Sequence, residues 1–141
     1  MASKSYPMCL TTDECLDHMM VTCSTAKMVG SLLKCWVDWW PTDEDTVQGM
    51  WEKIRSRRGD HTCKEVRKVI ASAFFWNIWS QRNGLAFNTG CKKEKEIFID
   101  IQFVAFDWIR CRSKGGKFLC WDSWRCNPVN VVSSCNALAS R

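Results

Sequence analysis

Apolar residues return at intervals of three and four over most of the chain, which is the period of helices with one buried face. Ser24 or Thr25 is placed to cap the first such segment, and Met28, Leu32, Leu33, Trp36 and Trp40 share its apolar side until Pro41 forbids continuation. After the acidic run from Pro41 to Asp45, Thr46 followed by Val47, Met50, Trp51 and Ile54 predicts a shorter helix. A basic break from Arg55 to His61 surrounds Gly59. Thr62 then caps a helix from about Cys63 to Gln81, with Val66, Val69, Ile70, Ala73, Phe74 and Ile78 on one stripe. Phe75, Trp76 and Trp79 lie beside and behind that stripe, so this helix is apolar nearly all round and is expected to be the central buried element.

Arg82, Asn83 and Gly84 are expected to close the third helix, and a fourth runs from about Lys93 to Arg112 on Ile97, Ile101, Val104, Ala105, Trp108 and Ile109. The Ser113–Gly116 run breaks it. Phe118, Leu119, Trp121 and Trp124 form a last aromatic cluster before Asn127 and Pro128, and residues 129–141, rich in Ser and Asn, are expected to fray. Strand signals are scarce. The predicted class is all-α: a small bundle of about four helices over residues 24–128, preceded in residues 1–23 by a loop-rich appendage resembling a Cys/His zinc knuckle.

Composition narrows the class further. With 46% hydrophobic residues and 9 Trp among 141 residues, most of the chain has to fold to hide its apolar surface. Ten cysteines in so core-rich a chain do not require a disulfide scaffold, and the N-terminal stretch has no continuous apolar signal segment. No run reaches the length of a membrane span, so the expectation is an intracellular protein of nucleus or cytoplasm, not secreted, with cysteines acting mostly as small buried hydrophobes or metal ligands. Its oligomeric state is not readable.

The net charge of +5 is unevenly spread: residues 1–50 carry 3 Lys and Arg against 7 Asp and Glu, and residues 51–141 carry 17 against 8. Contact with a polyanion such as RNA or single-stranded DNA therefore belongs to the second part. Arg55, Arg57, Arg58, Lys64, Arg67 and Lys68 are its candidate phosphate contacts, with a solvated helix entry as the alternative. Trp76, Trp79, Trp121 and Trp124 have the chemistry to stack on unpaired bases, but in a helical bundle such residues more often belong to the core. His61, between Asp60 and Thr62, reads as a loop residue, and no nucleophile pairs with it.

Cys9, Cys15, His18 and Cys23 stand in the spacing C-x5-C-x2-H-x4-C, a thiolate and imidazole set of the kind that tetrahedral structural zinc takes. A closed four-ligand site of this kind serves folding and leaves no position for a reactive water. The pattern contains no CxxC pair, so spacing alone leaves open a reading in which these are ordinary apolar cysteines and a surface histidine.

The run YPMCLTTDECLDHMMVTC resembles the zinc-binding region that follows the polymerase in plant non-LTR retrotransposon reverse transcriptases. The family pattern is CPxC, a short acidic spacer, and a His ahead of a final Cys. Cys9 matches the second cysteine of the pair, His18 the histidine and Cys23 the last cysteine, while Tyr6 stands where the first cysteine belongs. Cys15 is the substitute ligand nearest to hand, since a phenol titrating near 10 is a poor ligand at neutral pH. FFWNIWSQRNGLAFN, FDWIRCRSKGG and WDSWRCNP are similar to the family's apolar helix with Trp-x-x-Trp, its closing helix, and its Trp-x-x-Trp before Asn-Pro.

The resemblance implies the C-terminal part of an RNA-directed DNA polymerase-like protein, or a decayed copy of one in which Met1 is an accidental start. The polymerase's paired aspartates have no counterpart: the chain lacks Tyr-x-Asp-Asp, and Asp100 and Asp107 fall on a predicted helix, so no two-metal catalysis is expected. The implied role is non-catalytic, with accessory RNA or DNA binding. The competing expectation is a helical interaction module without affinity for nucleic acid.

Overall fold

The computed structural model describes residues 17–86 and 92–140, and among them the chain is all-α with no strand. A single π-helical turn, His18–Thr22, leads into α1 (Ser24–Trp36), α2 (Val47–Ser56), α3 (His61–Ala86) and α4 (Glu94–Arg112). A 3-10 turn at Gly116–Phe118 connects to α5 (Trp121–Cys126) and α6 (Pro128–Ala139). The bundle thus has two helices beyond the four that periodicity predicts.

The start of α2 follows its local signal: Thr46 has extended backbone angles and its Oγ1 accepts from the Gly49 amide at 2.9 Å. The other boundaries shift. Cys23, not Ser24, occupies the N-cap of α1, which stops at Trp36 rather than Trp40 because Val37 turns to extended angles. That bend carries Trp40 back over the helix. It packs against Gly30, where a Cβ would stand 3.4 Å from the indole Nε1, and lies on Phe74 with ring centroids 4.9 Å apart.

The third helix is longer at both ends than predicted. Asp60, not Thr62, caps it, with Oδ1 accepting from the Cys63 amide at 2.8 Å, and this bond holds the Asp60 carboxyl below the usual carboxylate range. His61 is accordingly a helix residue rather than a loop residue. At the other end the helix runs through Arg82, Asn83 and Gly84. Its 26 residues make a rod of roughly 39 Å, against which the π turn, α2, α4 and α6 all pack.

Residues 128–139 do not fray. Pro128 sits in the first turn of α6, where its missing N–H costs nothing, and the Asn127 side chain accepts from the Asn130 amide at 3.2 Å. Val132 and Cys135 are buried against the rest of the core. The π turn also departs from expectation, since Met19, Met20, Val21 and Cys23 all belong to the main core rather than to a separate appendage. Asp17 Oδ1, just ahead of that turn, accepts from the Val47 amide at 2.8 Å and so ties it to the first residue of α2.

Trp124 is the anchor of the C-terminal half. It is fully buried, donates from Nε1 to the Gln102 carbonyl at 2.9 Å, and meets Trp36 edge-on at 5.6 Å between centroids. Trp36 in turn donates to the Arg125 carbonyl at 2.8 Å, joining the end of α1 to α5. Gly115 and Gly116 let the connection after α4 lie directly on backbone: a Cβ on the first would collide with the Cys135 carbonyl, and on the second with the Arg110 carbonyl.

Candidate nucleic-acid interface

The long α3 buries most of its circumference but not all of it. Lys64, Lys68, Ser72, Trp76 and Trp79 are all exposed, and at 3.6 residues per turn they fall within roughly one third of the helix surface. Trp76 leaves 56% and Trp79 40% of its surface open, which corrects the expectation that they belong to the core. Arg82 lies over the Trp79 ring with its guanidinium carbon 5.4 Å from the centroid. The result is a stripe of roughly 22 Å, cationic at its N-terminal end and aromatic toward the other. Trp124, by contrast, is core, and Trp121 is half-buried against Phe106 at 5.4 Å.

The six basic residues singled out by charge separate into distinct roles. Lys64 and Lys68 project from the stripe, and among the described residues no ion pair engages either. Arg55 is exposed and pairs with Glu52 at 2.6 Å, a surface pair that solvent and salt weaken. Arg57 and Arg58 are exposed at the end of α2, and their carbonyls are held by Arg67. Arg67 itself is only 7% exposed: it donates from Nη1 to the Arg57 carbonyl at 2.9 Å and from Nη2 to the Arg58 carbonyl at 2.7 Å. It is therefore a clamp on the α2–α3 connection and not a surface phosphate contact, a correction that charge alone could not supply. Gly59 in that connection has φ +154°, and a Cβ there would press on Cys63 and the Arg67 guanidinium.

Of the four candidate zinc ligands, Cys9 and Cys15 lie outside the described residues, as does Tyr6. His18 and Cys23 open and close the π turn, with the Cys23 amide donating to the His18 carbonyl at 2.8 Å. The His18 Nδ1 lies 3.2 Å from Thr22 Oγ1. Cys23 is wholly buried. The structure places these two candidate ligands at the two ends of one turn, and among the described residues no three His, Cys, Asp or Glu groups converge on one point.

Four other cysteines, Cys35, Cys111, Cys120 and Cys126, are exposed, while Cys135 is buried like Cys23. Among the described residues no helix is long and apolar enough to cross a membrane. No family model, curated protein or solved structure matches the chain.

Proposed function

We infer that this chain is a non-catalytic, single-stranded nucleic-acid-binding accessory region of the kind its sequence resembles in retrotransposon reverse transcriptases. The observation that carries this reading is the α3 stripe: unpaired ammonium groups at Lys64 and Lys68 and open indole faces at Trp76 and Trp79 on one side of a rigid helix. Ammonium groups neutralise backbone phosphates without regard to sequence, and aromatic faces accept any unstacked base. Together they describe a binder that tracks a strand and reads no bases. Arg57 and Arg58, at the neighbouring α2 end, extend the cationic part.

Titrating a labelled single-stranded RNA and its DNA counterpart at several salt concentrations tests the reading. Binding is expected to weaken as salt rises, and Lys64→Gln with Lys68→Gln should lower the magnitude of the log–log salt slope by about 1.4, from roughly 0.7 per lost contact. Trp76→Ala and Trp79→Ala should each weaken binding by about 1–3 kcal/mol at unchanged slope. Absence of binding at low salt sinks the proposal.

The same reading assigns zinc to Cys9, Cys15, His18 and Cys23, where it would supply folding energy and no chemistry. The placement of His18 and Cys23 on one turn supports it. One equivalent of zinc is expected in protein purified without chelator, and His18→Ala should reduce that content; metal-free protein with native stability would remove the assignment.

An alternative reading, a helical interaction module, draws on Ile99 and Phe103, which leave 52% and 58% of their surfaces exposed on α4. Alanine at Arg55, Arg57 and Arg58 discriminates the two, because Arg67 bonds main-chain carbonyls that these substitutions leave in place. Nucleic-acid affinity unchanged by them, with a protein partner lost, favours the module.

A further inference from the structure

Lys95, Ile99, Phe103 and Asp107 of α4 are all exposed and follow one another at intervals of four, forming a single row along the helix of roughly 18 Å. Ile99 and Phe103, in its middle, leave 52% and 58% of their surfaces open. Among the described residues neither end of the row, Lys95 or Asp107, forms an ion pair.

The apolar middle continues beyond the helix. Phe103 meets the half-buried Trp121 of α5 edge-on at 5.9 Å between centroids. Beside Ile99 a groove of about 770 Å³ opens between α1, α4 and α5, with Leu32, Trp36, Phe98 and Trp121 in its wall. A lone exposed apolar side chain needs no partner, but two in sequence at the mouth of an apolar groove form a contiguous patch of the kind that marks a docking face.

The charge pattern selects the occupant. Read along the helix the row is cation, apolar, apolar, anion, so its reverse is its own complement. When the four-residue rows of two helices interdigitate, the commonest packing class with axes crossing at about 50°, those rows run side by side. With the second helix reversed, Lys95 falls beside Asp107 of the second copy and Asp107 beside its Lys95. Phe103 then falls beside Ile99 of the second copy, at the mouth of the groove. A parallel pairing would set Lys95 on Lys95 and Asp107 on Asp107, which like charge opposes. One turn outward Lys92 approaches Arg110 of the second copy, but Lys92 is already paired with Asp100, and the exposed Glu96 offers that arginine a carboxylate.

We propose that the exposed face of α4 is the contact of a two-fold symmetric dimer of this chain, with the α4 helices antiparallel and Phe103 of each copy against the Ile99 groove of the other. A patch complementary to itself about a two-fold axis is what such an isologous contact requires. The assignment holds whether or not α3 binds nucleic acid.

Sedimentation equilibrium of the full chain tests it, without nucleic acid and with a reductant that keeps exposed cysteines from linking copies. Between about 1 µM and about 1 mM the mean mass is expected to rise from that of one chain toward that of two. Lys95→Glu alone and Asp107→Lys alone each place like charges at both ends of the contact, and each should raise the dissociation constant at least about tenfold. Mixed in equal amounts, the two variants should associate as the native chain does, because every end then joins opposite charges. The proposal is overturned if the native chain stays single throughout, which leaves the face to a different protein. It is equally overturned if the charge reversals leave association unchanged, or if the mixture associates no better than either variant alone.

Discussion

Trp124→Ala is expected to lower the unfolding free energy by about 3–5 kcal/mol, because it empties a fully enclosed indole site and removes the bond from the indole N–H to the Gln102 carbonyl. Trp36 and Phe106, whose rings lie 5.6 and 6.3 Å from that of Trp124, would lose their common neighbour. A loss of this size is a large share of the roughly 5–15 kcal/mol that holds a domain together. Trp124→Phe keeps most of the volume and should cost less than half as much. Trp76→Ala, at the surface, should stay within about 0.5 kcal/mol of the native protein. Urea midpoints for the three variants check the ordering; equal midpoints for Trp124→Ala and Trp76→Ala would refute the packing described here.

Adding a single methyl group after α4 is the second large effect. Gly115→Ala drives a Cβ into the Cys135 carbonyl and the Asn136 amide, and Gly116→Ala drives one into the Arg110 carbonyl. These neighbours are backbone in two helices, so they cannot swing aside as a flexible side chain would. Each substitution is expected to destabilise by about 2–3 kcal/mol, at the upper end of overpacking costs. Gly115→Ala should also loosen α6, because the Gly115 amide donates to Asn136 Oδ1 at 2.7 Å. Limited proteolysis should then cut near residue 130 earlier in this variant than in the native chain. An unchanged urea midpoint together with unchanged cleavage would contradict the close approach.

What the sequence discloses and what it hides follow a physical division. The second helix was legible because its signal is local: Thr46 caps it, and Met50 and Ile54 mark its buried side. The all-α class and the centrality of the third helix were legible for the same reason. The last helix was hidden by its Ser and Asn residues, although Asn127 followed by Pro128 is itself a helix-start signal. Its few buried positions, Val132 and Cys135, are too sparse for periodicity to register. The role of Arg67 was hidden more deeply, since a charge in a basic run carries no information about whether a neighbouring loop will fold over it. Likewise, Trp76, Trp79 and Trp124 are one residue type, and only tertiary packing sorts the exposed pair from the buried anchor. For the candidate zinc set, the spacing offers four residues, and the described structure places two of them, His18 and Cys23, at the ends of one turn.

The hydrogen bond from Trp36 to the Arg125 carbonyl spans 89 positions of a 141-residue chain. Such a closure delays assembly. A nascent chain leaving the ribosome can form α1 early, but the indoles of Trp36 and Trp124 cannot meet until α5 has been made. The end of α1 therefore stays without its final neighbour until α5 has been made, and folding should be slower than that of a bundle held by sequence-local contacts alone.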